Sequence, residues 1–204
     1  TTAGKNLLGA FHSPERIYLC TEFLKTLDAE NWVSGKGEML KYGFLSSEIH
    51  QLIIKKKPVE EIAVACAKFK MELVARDFKE EGERIHLNLG HTLGHAFEFA
   101  LKLPHGVAVM MGMKYLFEAL NKEEARKTLD EMLAALEIPT AQLHVKAYSE
   151  FDKTKFFHYL QQDKKKHRDK IRLVLTEGPG KVSVTEMPMA EFKSRMNTHV
   201  DFAD

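Results

Sequence analysis

The chain has almost no net charge, few cysteines and no long apolar run. Its 204 residues carry 30 basic and 29 acidic side chains, a formal charge of +1. That balance provides no global field for nucleic acid or for an anionic membrane surface. The two cysteines, Cys20 and Cys66, stand in apolar surroundings at no metal-binding spacing, and read as buried free thiols of a reducing compartment, hence of a cytoplasmic protein. No apolar stretch approaches the roughly 20 residues that span a bilayer. The start, Thr1-Thr2-Ala3-Gly4, has no initiator Met and no signal-peptide core, and reads as an internal cut. We find no repeat and no low-complexity segment. The length suffices for one large domain with a real core.

Helical patterns dominate what is present. Thr21 caps a predicted helix over 22–28, a second runs from Trp32 to Phe44, and Ser46 or Ser47 caps a third through Ile54. Pro58 starts a long helix to about Phe78, with Ile62, Cys66, Phe69 and Leu73 on one stripe. The stretch 105–120 is apolar enough to be buried, with Met110, Met111 and Met113 as core. Helices over 122–136, with Leu129, Met132, Leu133 and Leu136 inward, and over 151–160 complete the set. Ile17 to Cys20 reads as a short strand, and 171–175 with 181–185, about Gly178-Pro179-Gly180, as a β-hairpin.

Chemistry concentrates at Arg84 to His95 and at His105. If a helix begins at Asn88, His91 and His95 are four apart and share a face. His105, between Pro104 and Gly106, sits at a chain reversal that returns it towards that helix. Three imidazoles suit zinc, cobalt, nickel or iron, and an open catalytic site commonly adds a carboxylate. Spacing alone leaves open which residues ligate. Glu38 and Lys41 are three apart and read most simply as a surface ion pair. Lys70, at the edge of its helical stripe, reads as snorkelling to solvent. Glu80, Glu81 and Glu83 read as loop carboxylates, and the charged run 163–170 as a solvated loop.

The order of motifs resembles the 3-dehydroquinate synthase family of sugar phosphate cyclases through nearly the whole chain. Residues 4–11 are similar to its GKNLIGAF segment, 23–27 to FLxTL, and 37–43 to AEVIKYG. Residues 84–95 are similar to RxxLNFGHTFGH, continuing to Glu98; 105–109 are similar to HGEAV, and 163–165 to a DKK run before a strand. The resemblance implies a mainly α fold. Residues 1–204 would form the helical metal- and substrate-binding C-terminal domain, with a small β-hairpin near its end and 1–20 connecting it to an NAD-binding Rossmann-like domain absent from the chain.

Carried over residue by residue, the resemblance implies that Glu38, His91 and His105 bind a divalent metal, zinc or cobalt. His95 becomes a proton-transfer residue and Glu80 a second acid/base group. Lys41, Lys70, Arg84, Asn88 and one of Lys164 and Lys165 contact the substrate, a phosphorylated seven-carbon keto sugar acid (3-deoxy-D-arabino-heptulosonate 7-phosphate). Lys5, Asn6, Phe23, Leu24, Lys25 and Thr26 touch NAD. The implied reaction gives 3-dehydroquinate and phosphate in the shikimate pathway, with NAD regenerated, usually in a homodimer; the chain alone is expected to be inactive. The sequence departs from the pattern at Gly37, where the family carries Ala, at Leu89 and Leu93 in place of Phe, and at Val107 in place of Glu. Those departures leave room for another sugar phosphate cyclase. A metal-dependent alcohol or glycerol dehydrogenase normally has Asp where Glu38 stands and no use for the cations. A metal-stabilised helical module is the non-enzymatic alternative.

Overall fold

The structure, a computed structural model, describes residues 12–162 and 169–199. A short 3-10 helix, Thr21–Thr26, leads into α1 (Ala29–Leu45), α2 (Ser47–Ile54) and α3 (Val59–Arg76). A loop and a second 3-10 helix, Glu83–Asn88, precede α4 (His91–Leu101) and α5 (His105–Ala119). Then come α6 (Glu123–Ala135), two 3-10 turns (Ala141–Leu143 and Val145–Ala147), α7 (Lys153–Gln162), β1 (Lys170–Thr176), β2 (Val182–Pro188) and α8 (Met189–His199). No helix among the described residues is long and apolar enough to cross a membrane.

The fold is built around α5. Gly106 to Met113, Tyr115 to Phe117 and Ala119 are all buried. A helix apolar on every face must be enclosed, and α1, α4, α6 and α8 pack against it. The three methionines are core, as the sequence predicts, and α4 adds Leu93, Ala96, Phe97 and Leu101. Phe97 packs at 4.5 Å on Phe156 of α7 and at 5.3 Å on Tyr115 of α5, which ties α4 to both helices. The inward stripes expected of α3 and α6 are also seen: Ile62, Cys66 and Leu73, and Leu129, Met132 and Leu133, are buried.

Caps place the helix that matters most. Asp28 accepts the Asn31 N–H at 2.8 Å at the start of α1, and Ser46 caps α2 from Ile49. The β1–β2 hairpin pairs Val174 with Val184, and its turn reaches α1: Gly180 N–H donates to Phe44 O at 2.8 Å. That bond satisfies one of the carbonyls left free at a helix end.

Four expectations need correction. The Ile17 to Cys20 run forms no strand, and Ile17, Tyr18 and Leu19 are exposed. Cys20 is exposed and only Cys66 is buried. The 22–28 helix is a 3-10 helix ending at Thr26, since Asp28 is recruited as the cap of α1. The histidine helix begins at His91, because Gly90 at φ +76° terminates the 3-10 helix before it. α8 was not anticipated; its buried Met189, Phe192 and Met196 follow directly on β2, with Pro188 alone marking the junction.

Candidate metal centre

Gly90 decides how the first histidine is presented. Its left-handed backbone, which residues with a Cβ adopt at a cost, turns the chain so that the Leu89 carbonyl lies 3.1 Å from His91 Nδ1. A carbonyl only accepts, so Nδ1 carries the proton and Nε2 keeps its lone pair. A three-residue link, 102–104, then reverses the chain with Lys102 at φ +54° and Pro104 ahead of α5. This sets His105 against α4, its ring centroid 5.1 Å from that of His91. His105 Nδ1 donates to Glu98 Oε2 at 3.0 Å, one α4 turn beyond His95, so its Nε2 is also free.

Both free nitrogens face one oxygen of α1. Glu38 Oε1 lies 3.5 Å from His91 Nε2 and 3.2 Å from His105 Nε2. That oxygen is buried, and neither approach has the geometry of a hydrogen bond. Three ligand atoms on a tetrahedral ion with bonds of about 2.1 Å lie about 3.4 Å apart. The observed spacings match that value, and the donor set suits zinc or cobalt. The residues therefore fit a divalent metal: an orphaned carboxylate oxygen faces two imidazole lone pairs, each ring oriented through its other nitrogen.

The charges are coupled accordingly. Burial would raise the Glu38 carboxyl, but the adjacent His105 ring and the Lys41 ammonium, with a smaller effect of His91, outweigh it and hold it well below the ordinary carboxylate range. Burial, assisted by Lys41, lowers His91 from 6.5 to about 4, so its imidazole is neutral. His105 is raised, chiefly by Glu38 against the effect of burial, with Glu98 adding to it. Lys41 corrects the sequence reading of a surface pair: it is 4% exposed and holds Glu38 Oε2 at 2.7 Å. Burial lowers its ammonium pKa, opposed by Glu38. Cys66 lies near it, and burial pushes its thiol up to about 12, which makes it an inert neighbour.

The remaining predicted residues are spread over several places. His95 belongs to the cluster: it is exposed on α4, its ring 5.5 Å from His91 and 5.8 Å from His105. Lys70 and Arg84 line a cavity of about 900 Å³ with Arg16, His12 and Phe78. Glu80, in left-handed backbone, accepts from Asn88 Nδ2 at 2.8 Å. Its loop is organised by Asp77, whose carboxylate accepts the N–H groups of Glu81, Gly82 and Arg84 at 2.8–3.0 Å. Phe23 to Thr26 stand apart on the first 3-10 helix, with Lys25 bonded to Glu22. Lys5, Asn6, Lys164 and Lys165 lie outside the described residues. Sequence reasoning missed Glu98 and Asp77 as site-building residues. Glu98 at i+7 from His91 and Asp77 seven residues before Arg84 were legible as acids, but their partners are set by the α4–α5 reversal and by the loop.

Comparison with known proteins shows the family and the fold. The family model for the 3-dehydroquinate synthase C-terminal region matches residues 35–166. The 3-dehydroquinate synthase of Staphylococcus epidermidis is 32% identical over 196 residues, covering 90% of this chain and 55% of that protein. That of Halalkalibacterium halodurans is 30% identical over 219 residues, covering 97% of this chain and 58% of the relative. The chain thus spans little more than half the length of these relatives. Its fold is similar to that of 2-deoxy-scyllo-inosose synthase complexed with carbaglucose-6-phosphate, NAD+ and Co2+, with a TM-score of 0.74, 21% identity, and coverage of 98% of this chain and 60% of that one. It is similar also to 2-epi-5-epi-valiolone synthase from Streptomyces hygroscopicus with NAD+ and Zn2+, with a TM-score of 0.75 at 21% identity over 98% of this chain and 60% of that one. With the family match covering most of the chain and the relatives sharing nearly a third of its residues, this chain belongs to the 3-dehydroquinate synthase family.

Proposed function

We propose that this chain is the metal- and substrate-binding part of a 3-dehydroquinate synthase, acting on a phosphorylated keto sugar acid. The observation that carries the reading is the convergence of Glu38 Oε1 with two imidazole Nε2 atoms beside a buried lysine. Glu38, His91 and His105 hold the divalent metal, zinc or cobalt. When bound, such an ion supplies Lewis acidity that lowers the pKa of a substrate hydroxyl.

The other side chains divide the remaining work. Lys41 holds Glu38 Oε2, which keeps Oε1 turned to the centre and places a cation beside the substrate. His95, exposed at the rim of the cluster, exchanges protons with substrate and solvent. Lys70 and Arg84 share one cavity wall and supply charge for phosphate and carboxylate, Arg by paired donors. Asn88 orients Glu80 as the second acid/base group. A phosphorylated substrate accounts for these cations better than a simple alcohol does. The curated relatives favour the seven-carbon acid over the sugars of other cyclases. NAD, named with both solved cyclases, supports a transient oxidation in the cycle. Lys5, Asn6 and Phe23 to Thr26 provide only part of its contacts, the remainder coming from the part of the relatives without a counterpart here.

Metal analysis and ligand binding on the purified chain test the reading. The wild type is expected to hold one zinc, lost in Glu38→Ala. Lys70→Ala keeps the metal but weakens binding of a phosphonate analogue of the keto sugar acid phosphate. Metal-free wild type, or analogue binding indifferent to Lys70→Ala, overturns it. The isolated chain with added NAD is expected to release no phosphate from the sugar phosphate.

A further inference from the structure

α1 and α5 cross where they carry Glu38 and His105, and they cross too closely for side chains to intervene. Ser34, Gly37 and Glu38 fall at positions i, i+3 and i+4 of α1, so they share one face. His105 and Gly106, the first two residues of α5, lie against that face. A Cβ on Gly37 would stand 2.4 Å from the Gly106 carbonyl oxygen, and one on Gly106 would stand 1.8 Å from that of Ser34. Close carbon–oxygen contacts in proteins settle at about 3.3–3.6 Å. A methyl at Gly37 therefore drives the two backbones apart by about 1 Å.

The contact is polar as well as steric. The Ser34 hydroxyl accepts the Gly106 N–H at 3.0 Å, satisfying one of the donors left free where α5 begins. Gly37 directly precedes Glu38, and Gly106 directly follows His105. Metal–ligand bonds tolerate deviations of about 0.2 Å, several times less than the displacement an alanine would impose. The methyl found at this position in the family pattern has no room here.

We propose that the Ser34–Gly37–Gly106 crossing sets the distance between Glu38 and His105, and through it the affinity of the centre and the size of ion it accepts. The inference rests on Glu38, His91 and His105 being the ligands. Ser34 and Gly37 are positioning residues that act through their neighbours.

The test titrates the chain and its Gly37→Ala, Ser34→Ala and Gly35→Ala variants with Co(II), Zn(II) and Cd(II). The readouts are the cobalt d–d absorption and competition with a chelating dye, and circular dichroism checks the fold. Gly35→Ala is the control for helix propensity, since a Cβ there meets nothing within 4 Å. Gly37→Ala is expected to lose zinc affinity by about tenfold or more, to shift its preference towards the larger Cd(II) and to alter the cobalt spectrum, while Gly35→Ala does none of these. Ser34→Ala, which adds no bulk, is expected to weaken zinc binding by about 2–10-fold. Wild-type affinity and spectrum in Ser34→Ala and in folded Gly37→Ala overturn the proposal; if Gly37→Ala does not fold, an unchanged Ser34→Ala overturns it alone. A wild type that takes up no metal defeats the ligand assignment and this inference together, whereas uptake indifferent to the variants defeats only this one.

Discussion

His105 faces a carboxylate from each ring nitrogen: Nδ1 lies 3.0 Å from Glu98 Oε2 and Nε2 lies 3.2 Å from Glu38 Oε1. One imidazole thus links α1, α4 and α5. An imidazole that ligates a metal commonly gives its other N–H to a carboxylate, which fixes the ring and raises its basicity. Glu98→Ala is expected to weaken zinc binding by about 10–100-fold, and Glu98→Gln, which retains an acceptor, by less. Calorimetric titration measures both. Equal affinity in all three chains would remove Glu98 from the centre.

Neighbouring histidines should behave oppositely. His95→Ala is expected to retain the metal and His105→Ala to lose it, because Glu38 Oε1 faces the rings of His91 and His105. Elemental analysis after gel filtration separates the two outcomes. Metal retained by His105→Ala and lost from His95→Ala would reverse the assignment.

The metal-free chain should have opposite pH slopes from its two inner imidazoles. His91 is lowered from 6.5 to about 4, so between those values the unfolded chain binds the extra proton. Stability therefore falls as pH drops through that window, by up to roughly 1.4 kcal/mol per pH unit. His105 is raised, so its contribution is complete below 6.5 and is lost as pH rises through its folded value. Thermal melts of the apo chain across pH 4–8, compared with His91→Ala, are expected to show the acid-side loss only with His91 present. An unchanged acid slope in the variant would contradict this.

Asp77 holds the loop that presents Glu80 and Arg84. The N–H of Arg84 and those of its neighbours hold its carboxyl below the usual range despite the opposing effect of burial. That contribution is present above about pH 4 and is lost as pH falls through the folded value. Asp77→Ala is expected to speed amide exchange at Glu81, Gly82 and Arg84 by roughly tenfold while leaving the melting temperature nearly unchanged, since the loop lies outside the core. Unchanged exchange would show that the loop holds itself.

The helices were legible where one face is apolar. Ile62, Cys66 and Leu73 on α3 mark their period, and α5 announces itself by being apolar all round. Boundaries were less legible. Gly90 looked like a glycine inside a helix, yet its positive φ ends one element and starts the next. The ligand set was not readable from spacing at all: His91 and His95 share a helical face, but the partner of His91 is reached through the reversal at 102–104 and through Glu38 on α1. Only resemblance brought Glu38 to it. The burial of Lys41 was likewise invisible from its spacing to Glu38, because it comes from the packing of α1 against α2, α3 and α5.

The short link between α4 and α5 also bears on the order in which the centre is assembled. His91 and His105 belong to one local α-hairpin, which can close early because little chain entropy is spent in joining them. Glu38 arrives from a separate helix across a much longer loop. An ion captured first by the two imidazoles would then act as a clasp that rewards α1 for docking, coupling metal supply to completion of the fold.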